Sequence, residues 1–197
     1  MTGPSTSTRT SHMTKREPRY CPYCGTELIP ESFEGRERRF CRGCQEYVFQ
    51  NPVPVARVAV LDGDSALFVR RARPPYQGAW TIPGGVLEVD EPAALGAARE
   101  LREETGLRTA AEDVELVHTD LDVDDPDDGS ILTICFAVER DRTAGTPQAG
   151  DEPAAAEFRN PRRLVESAER TRSVDLRCLE TAFERIRDEE REFVRRS

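Results

Sequence analysis

The sequence predicts an α/β protein that carries a small cysteine-rich segment near its N-terminus. Three observations lead to this prediction. The chain has 197 residues, enough for one ordinary α/β domain and a small appendage. Strand-like and helix-like runs mix along it without a strict β–α alternation. Four cysteines occur as two close pairs before residue 50.

Composition excludes several classes of protein. Hydrophobic residues make up 37% of the chain and charged residues 33%, so we expect an adequate core and a densely ionised surface. The net charge of −9 argues against broad capture of nucleic acid through phosphate contacts. No run approaches the roughly 18 apolar residues of a membrane helix, and the N-terminus lacks the apolar core of a secretory signal. We therefore expect a cytoplasmic protein without a membrane partner.

The chain divides into three predicted parts. Residues 1–18 are polar and rich in Ser and Thr, which predicts a disordered tail with Met13 as an alternative start. Residues 19–50 hold the paired cysteines. The prolines of Asn-Pro-Val-Pro at 51–54 punctuate the boundary, so the main domain is predicted over 51–197.

Strand signals follow in two pairs. The runs at 55–61 and 66–70 flank Asp62-Gly63-Asp64 and predict a hairpin. The runs at 114–123 and 130–139 predict two more strands, joined by an acidic connection that we expect to be solvated.

Helices are predicted from near Pro161 and from near Ser173. In the second of these, Leu179, Phe183 and Ile186 recur at helical spacing. This face suits packing on the sheet or on a partner subunit, which leaves a homodimer open.

The paired cysteines predict a structural zinc ribbon. Each pair has CxxC spacing and can present two thiolates to one tetrahedral ion, and the ligands would be Cys21, Cys24, Cys41 and Cys44. Four sulfurs leave zinc no open position, so catalysis must lie elsewhere. Disulfides are the alternative, and the absence of a secretory signal disfavours them. Cys135 and Cys178 are interpreted as small core residues.

The ribbon has a balanced charge, which bears on nucleic-acid binding. Its basic residues Arg36, Arg38, Arg39 and Arg42 are interspersed with Glu27, Glu31, Glu34 and Glu37. Nucleic acid is therefore not the expected partner.

A helix over Glu91 to Thr105 is predicted to present a row of carboxylates. Pro92 suits a helix start and Gly106 suits the left-handed residue after a helix end. At about 100° per residue, Glu100, Glu103 and Glu104 share one face, and a neighbouring face is apolar. Like charges at this spacing, placed in a last turn, are unfavourable by roughly 0.3 to 1 kcal/mol each.

Two explanations of this cluster remain open from geometry. Arg99 and Arg102 could make it a solvated, ion-paired helix, although we expect neither arginine to give the glutamates a shared counterion. A divalent cation would do so, and Mg²⁺ prefers hard oxygen ligands that leave positions for water and phosphate.

The same stretch resembles the signature of the Nudix hydrolase family. Gly85, Glu91 and the run Arg99-Glu100-Leu101-Arg102-Glu103-Glu104-Thr105-Gly106-Leu107 fill every specified position of the Nudix box. The preceding cysteine pairs resemble the zinc-ribbon Nudix proteins, which include NADH pyrophosphatases. The resemblance implies an α/β/α sandwich around a mixed sheet, with the box forming loop, helix and loop.

The resemblance also implies roles for individual residues. Glu100, Glu103 and Glu104 would bind catalytic Mg²⁺ or Mn²⁺, and Arg99 would orient a glutamate, with Glu91 its expected partner. Glu103 or Glu104 would double as the base, and Glu152 or Glu157 would supply a further acid from a later loop. The substrate would be a small nucleotide.

Candidate substrate-binding residues lie before and within the box. Tyr76 and Trp80 could stack on a base, and Arg70, Arg71 or Arg73 could hold a phosphate, whereas core packing and surface charge are the respective alternatives. Gly84, Gly85 and Glu152 are further candidates.

The predicted activity is Mg²⁺-dependent hydrolysis of the diphosphate in a nucleoside diphosphate linked to another moiety, such as ADP-ribose, FAD or NADH. Hydrolysis of a modified nucleoside triphosphate is the rival within the class. A noncatalytic nucleotide-sensing regulator that touches nucleic acid through its ribbon is the rival from another class. No array like that of the NADH pyrophosphatases follows Leu107, and Pro126 lies only near the position of a proline typical of ADP-ribose pyrophosphatases.

Overall fold

The computed structural model describes residues 17–74, 76–125 and 129–196. Most of the predicted tail, including Met13, lies outside these residues. Contacts divide the chain into two compact units. The first unit comprises Met1–Pro52 and Val123–Ser130, and the second comprises Val53–Asp122 and Ile131–Ser197. The domain limits given above stay predictions.

The first unit contains a three-stranded antiparallel sheet. Its strands, in the order β1-β2-β3, are β1 (Ile29–Phe33), β2 (Arg36–Cys41) and β3 (Glu46–Val48). Cys41 at the end of β2 packs with Cys21 and Leu28, which precede β1, in a small core. Phe33 and Phe40 instead contact the ring of Tyr47, at centroid distances of 4.5 and 4.9 Å. So small an apolar core favours stabilisation by a metal.

The second unit is built on a mixed seven-stranded sheet. The strands are β4 (Val53–Asp62), β5 (Ser65–Arg71), β6 (Trp80–Thr81), β7 (Gly84–Val86), β8 (Glu115–Asp125), β9 (Gly129–Glu139) and β10 (Pro153–Arg159). The main order is β10-β5-β4-β9-β8, with β6 paired to β5 and β7 paired to β4. Strands β4 and β9 run parallel, whereas β4 pairs antiparallel with β5 and β7.

Three helices cover the two faces of this sheet. They are α1 (Ala93–Thr105), α2 (Pro161–Glu166) and α3 (Ser173–Arg196). Helix α2 begins where the side chain of Asn160 accepts hydrogen bonds from the backbone N–H groups of Arg162 and Arg163, at 3.0 and 3.2 Å.

Strand β4 is the centre of the core because residues 55–61 are all buried. Its even-numbered residues Ala56, Val58 and Val60 pack with Ala97 and Leu101 of α1. The odd-numbered Ala59 and Leu61 belong to the core on the opposite face, which includes Leu164 of α2 and Leu179 of α3. The predicted α/β/α sandwich with a mixed sheet is confirmed.

The apolar face predicted on the last helix packs on the sheet. Leu179 is buried, and Phe183 and Ile186 pack against the same core. Packing on the sheet thus describes this face, and the homodimer stays a prediction.

Several elements differ from the sequence prediction. Helix α1 begins at Ala93, two residues later than expected, with Pro92 just before it. The acidic connection is shorter than predicted because β8 continues to Asp125 and β9 begins at Gly129. Strands β6, β7 and β10 were not predicted, since the first two are very short and β10 lacks an apolar run. Pro126 lies outside the described residues.

Within the described ranges, no helix is both long enough and apolar enough to cross a membrane.

Candidate active site and cysteine cluster

The glutamates of α1 are organised by a single arginine. Arg99 donates two hydrogen bonds to Glu91, from Nε to Oε1 at 2.8 Å and from Nη2 to Oε2 at 2.9 Å. Its Nη1 donates to Glu100 Oε1 at 2.7 Å and to Glu103 Oε2 at 3.1 Å. The expectation that Arg99 would not be a shared counterion is therefore wrong, because one guanidinium fork reaches three carboxylates.

These contacts act on the acidity of the carboxyl groups. Hydrogen bonds from Arg99 lower the pKa of Glu91. Burial raises the pKa of Glu100, against the opposing effect of Arg99, and the charges of Glu103 and Glu152 raise it further. Glu103 has the most exposed carboxylate of the group, at 49% of its side chain.

Glu104 faces a different partner. Its Oε2 accepts a hydrogen bond from the backbone N–H of Gly84 at 3.0 Å. Burial raises the pKa of Glu104 to about 7, and the nearby charge of Glu100 adds to this effect, while the Gly84 N–H and the arginines Arg57 and Arg71 oppose it.

Gly84 and Gly85 permit the close approach of β7 to its neighbours. A Cβ at Gly84 would lie 2.4 Å from the carbonyl oxygen of Ala56, and one at Gly85 would lie 2.4 Å from Glu100 Oε1. Gly84 therefore requires glycine because its neighbour is backbone, whereas a side chain at Gly85 would displace the Glu100 carboxylate. Their predicted contact with substrate stays a prediction.

The segment before β10, residues 148–150, packs against the C-terminal end of α1 and hydrogen-bonds to it. The backbone N–H groups of Gln148 and Gly150 donate to the carbonyls of Thr105 and Glu104, each at 2.9 Å. A Cβ at Gly150 would lie 2.0 Å from the Glu103 carbonyl oxygen, so only glycine allows this approach. The segment thus satisfies helix-end carbonyls that would otherwise lack partners.

The two acids predicted to follow the box, Glu152 and Glu157, lie in different parts of the fold. Glu152 follows Gly150 and lies close enough for its charge to raise the pKa of Glu100. Glu157 lies on β10 and raises the pKa of Arg159, which stacks on Trp80 in the opposite core. The structure brings Glu152 toward the α1 glutamates and leaves Glu157 on the other face of the sheet.

Trp80 is a buried core residue. Only 4% of it is exposed, its Nε1 donates to Glu169 Oε2 at 2.6 Å, and the guanidinium of Arg159 lies 4.4 Å from its ring centroid. Arg70 lies farther from the same ring, at 6.0 Å. The core-packing alternative describes Trp80 in this conformation.

The other candidate substrate contacts lie around the loop after β5. Tyr76 has a left-handed backbone, with φ of 59°, and its ring lies 4.8 Å from the Arg172 guanidinium. Arg73 is exposed. Arg71, another candidate for phosphate binding, is close enough to Glu104 for its charge to lower the pKa of that glutamate.

Sequence reasoning missed a buried ion pair beside Glu104. Arg57 Nη1 lies 3.1 Å from Asp175 Oδ1, and both side chains are almost wholly inaccessible. Burial raises the pKa of Asp175, and the charges of Arg57, Arg172 and Arg71 oppose the increase. The only sequence signal was the unusual arginine inside the apolar run Val55–Leu61.

The four cysteines near the N-terminus converge. Their sulfur atoms all lie within 4.8 Å of one another, with Cys24 and Cys41 at 3.4 Å and Cys21 and Cys44 at 3.8 Å. Tetrahedral ligands at about 2.3 Å from one zinc ion would be separated by about 3.8 Å, so the cluster fits the ion that the spacing predicts.

Two similar turns build this cluster. The residue after each second cysteine, Gly25 or Gln45, is left-handed and donates its N–H to the carbonyl of the first cysteine, at 2.9 and 2.8 Å. The N–H of Cys44 also points to the sulfur of Cys41 at 3.3 Å. Hydrogen bonding from Thr26 lowers the pKa of Cys24 to about 6, which favours the thiolate that a metal binds.

Cys135 and Cys178 are both fully buried in the core between the sheet and α3. This burial agrees with their interpretation as small core residues.

The fold and the arginine-braced glutamate helix place the chain among α/β/α proteins that present an acidic helix on one face of a mixed sheet. Comparison with known proteins then shows the family. The NUDIX domain model matches residues 51–180, and the chain belongs to this family. The family recognised from the box is confirmed.

Two kinds of relative accompany this match. The NAD-capped RNA hydrolase NudC of Escherichia coli O1:K1 / APEC is 33% identical over 93 residues, which cover 47% of this chain and 35% of that relative. The matched region thus spans about a third of the length of the curated relatives.

Solved structures support the fold. A NUDIX hydrolase from Nitrosomonas europaea has a TM-score of 0.62 at 23% identity, covering 82% of this chain and 88% of that chain. A bifunctional NMN adenylyltransferase/ADP ribose pyrophosphatase from Francisella tularensis, complexed with AMP and a manganese ion, has a TM-score of 0.58 at 22% identity, covering 70% and 42%.

Proposed function

We propose that this chain is a Mg²⁺-dependent pyrophosphatase that hydrolyses the diphosphate of a nucleoside diphosphate linked to another moiety. The observation that carries the proposal is the Arg99 fork, which joins Glu91, in the loop before α1, to Glu100 and Glu103 in the C-terminal half of that helix. Such a brace orients a carboxylate cluster that would otherwise repel itself.

The carboxylates fit a divalent cation by the type of ligand they offer. Glu100, Glu103 and Glu104 would bind it, and because burial raises the pKa of Glu100 and of Glu104, a cation would stabilise their charged forms. Among the described side chains, only the cysteines bring three or more ligand atoms within 4.8 Å of one another. Mg²⁺ does not need such a cage, because it keeps several waters and binds through few carboxylates.

A bound divalent cation would neutralise the diphosphate and lower the pKa of a coordinated water. The chain itself contributes orientation and proton transfer. Glu91 and Arg99 hold Glu100 and Glu103 in register, and the Gly84 N–H fixes one oxygen of Glu104.

The attacking water forms a bond to phosphorus, the bridging P–O bond breaks, and two phosphate monoesters leave. Glu103 is exposed enough to take the proton from this water, and Glu104 is the alternative. Glu152, just after the segment that packs against the end of α1, would supply the further acid.

The relatives support the proposed substrate class. The Escherichia coli relative is named as a hydrolase of NAD-capped RNA and the Francisella protein as an ADP ribose pyrophosphatase. ADP-ribose, FAD and NADH share the diphosphate linkage that this chemistry requires, and an NAD-capped RNA 5′ end contains it as well.

A substrate panel with Mg²⁺ tests the proposal. ADP-ribose, FAD, NADH, a short NAD-capped RNA and oxidised nucleoside triphosphates are incubated with the protein, and the products are identified. We expect two monophosphate products from at least one linked diphosphate. Cleavage of triphosphates alone would favour the rival substrate class, and no cleavage of any compound would refute the enzyme.

For the first unit we propose a structural Zn²⁺ held by Cys21, Cys24, Cys41 and Cys44. The sulfur separations and the paired turns support it. With all four positions occupied by sulfur, this ion would stabilise the fold and take no part in hydrolysis.

A further inference from the structure

The sheet opens next to the candidate active site. Strands β4 and β5 pair only at Leu61↔Ala66 and Asp62↔Ser65. Beyond this point β5 pairs with β6 and β4 pairs with β7, so the segment from Trp80 to Val86 fills the space between the strands. The position of this segment determines where the Gly84 N–H points.

Arg57 lies on β4 directly opposite Gly84 in this opening. The N–H of Val58 donates to the Pro83 carbonyl at 2.9 Å, and Arg57 Nη1 donates to the Ile82 carbonyl at 3.4 Å. A Cβ at Gly84 would lie 2.8 Å from Arg57 Cγ, so the arginine stem packs directly against the segment. The segment is thus held from the backbone and from the side chain of β4.

Asp175 holds Arg57 from the opposite layer. It lies in the first turn of α3, its side chain is fully buried, and its Oδ1 is 3.1 Å from Arg57 Nη1. Neither of its oxygens accepts a well-aligned hydrogen bond from the described residues, and Arg57 Nε also lacks a partner there.

This ion pair is poorly suited to a role in stability alone. Removing two charges from water is unfavourable, and good hydrogen-bond geometry is required to offset that desolvation. Apolar residues of similar volume are often as stabilising or more so. A poorly aligned buried pair next to Glu104 therefore indicates a role in the site.

From this arrangement we infer that Asp175 is a positioning residue for Glu104, acting through Arg57 and the segment from Ile82 to Gly84. Asp175 restrains the Arg57 guanidinium, Arg57 restrains the segment, and the Gly84 N–H at its end orients the Glu104 carboxylate. The consequence for turnover rests on the proposed hydrolase function. The structural consequence, a fixed Gly84 N–H, does not.

The test replaces the pair by apolar side chains. The double variant Arg57→Met/Asp175→Leu keeps the approximate volume and removes both charges of the buried pair together, and Asp175→Asn is studied beside it. Arg177→Met is the matched control, because Arg177 joins α3 to Asp120 of β8 by Nε–Oδ2 contact at 2.7 Å and does not touch the opening.

Three measurements are made on the full chain: the thermal midpoint, hydrogen exchange of the ¹⁵N-labelled Gly84 amide, and kcat with KM on the best substrate. In the double variant we expect the fold to survive, Gly84 exchange to accelerate by about ten-fold or more, and kcat to fall by about 10- to 100-fold with little change in KM. Arg177→Met should change neither the Gly84 amide nor kcat.

A folded double variant with wild-type Gly84 exchange and wild-type kcat would overturn the inference. The ion pair would then serve only to connect α3 to the sheet. If Asp175→Asn fails to fold, the double variant still decides. If the wild type hydrolyses nothing in the panel, the proposed function fails, while Gly84 exchange continues to test the positioning role.

Discussion

Arg99 and Glu91 face each other through two parallel hydrogen bonds, Nε to Oε1 at 2.8 Å and Nη2 to Oε2 at 2.9 Å. The same guanidinium has Nη1 left for Glu100 and Glu103. A planar fork can make these contacts at once, whereas an ammonium cannot. The relationship explains how a helix can carry several acidic residues near its C-terminal end.

Replacing this fork gives the first prediction. Arg99→Lys keeps the charge but loses the bidentate geometry, so we expect kcat/KM to fall by about 10- to 100-fold and the half-saturating Mg²⁺ concentration to rise. Steady-state kinetics across a Mg²⁺ series measure both. Arg102→Lys is the control, since Arg102 contacts only Glu103, at 3.3 Å, among the carboxylates of α1. Equal effects of the two substitutions would contradict the role of the fork.

Glu103→Gln tests the ligand role directly. The side chain is 49% exposed, so the substitution removes a carboxylate without disturbing the core. We expect kcat to fall by about 10² or more while the free energy of unfolding stays within about 0.5 kcal/mol of the wild type. Kinetics and chemical denaturation measure the two quantities. Near-normal turnover would remove Glu103 from the mechanism.

The segment that packs against the end of α1 gives a prediction about packing. Gly150→Ala places a Cβ 2.0 Å from the Glu103 carbonyl oxygen, so the segment must move away from the helix end. We expect a loss of about 1 to 3 kcal/mol in unfolding free energy and a weaker response to Mg²⁺.

Gly63→Ala is the comparison for that substitution. Nothing lies within 4 Å of a Cβ at Gly63, and its φ of 60° alone makes alanine unfavourable, by about 1 to 2 kcal/mol. The Mg²⁺ response should therefore stay normal in Gly63→Ala. A normal response in Gly150→Ala would show that the segment does not shape the site.

Acidification should release Trp80 from its hydrogen bond. Arg159 and then Trp80 lower the pKa of Glu169 to about 2, from an ordinary value of 4.5. A depressed pKa contributes stability that is complete above the unfolded value and is lost as the pH falls through the folded value. Trp80 is the only tryptophan of the chain, so its fluorescence reports the contact.

We therefore expect constant Trp80 fluorescence from pH 7 to about 3.5 and a change centred near pH 2, where Glu169 takes up its proton in the folded state. In Glu169→Gln the proton-linked step should disappear. A step of the same size and midpoint in that variant would assign it to another group.

Zinc removal should affect the first unit selectively. Metal analysis of the purified wild type should find one zinc ion per chain. Cys41→Ser should lose it and unfold the small sheet, because so few apolar residues support that sheet without a metal. Cys178→Ser should keep the zinc, since Cys178 is buried in the other core. Wild type without zinc would refute the structural site.

Several features could be predicted from sequence because they depend on local geometry. Residues three and four apart share a helix face, so the carboxylate row of Glu100, Glu103 and Glu104 follows from spacing alone. Two thiolates with two residues between them fit one knuckle, so the cysteine cluster follows in the same way. The box residues added the family, and with it the sandwich fold.

Other features depend on contacts between distant parts of the chain, which no local pattern contains. Trp80 meets Glu169 across 89 positions, which turns a candidate stacking residue into a core residue. Arg57 lies inside an apolar run, and only the position of α3 brings Asp175 beside it. Glu152 and Glu157 were indistinguishable until the fold brought Glu152, just before β10, near Glu100 and left Glu157 on β10 beside Arg159.

The sequence by itself thus determined the family, the carboxylate helix and the cysteine cluster, since periodicity and spacing act over a few residues. Tertiary structure alone decided that one guanidinium braces three of the glutamates while the backbone of β7 holds the fourth. The reason is physical: the orientation of each carboxylate depends on which donor the fold brings to it, and the donors come from other strands and loops.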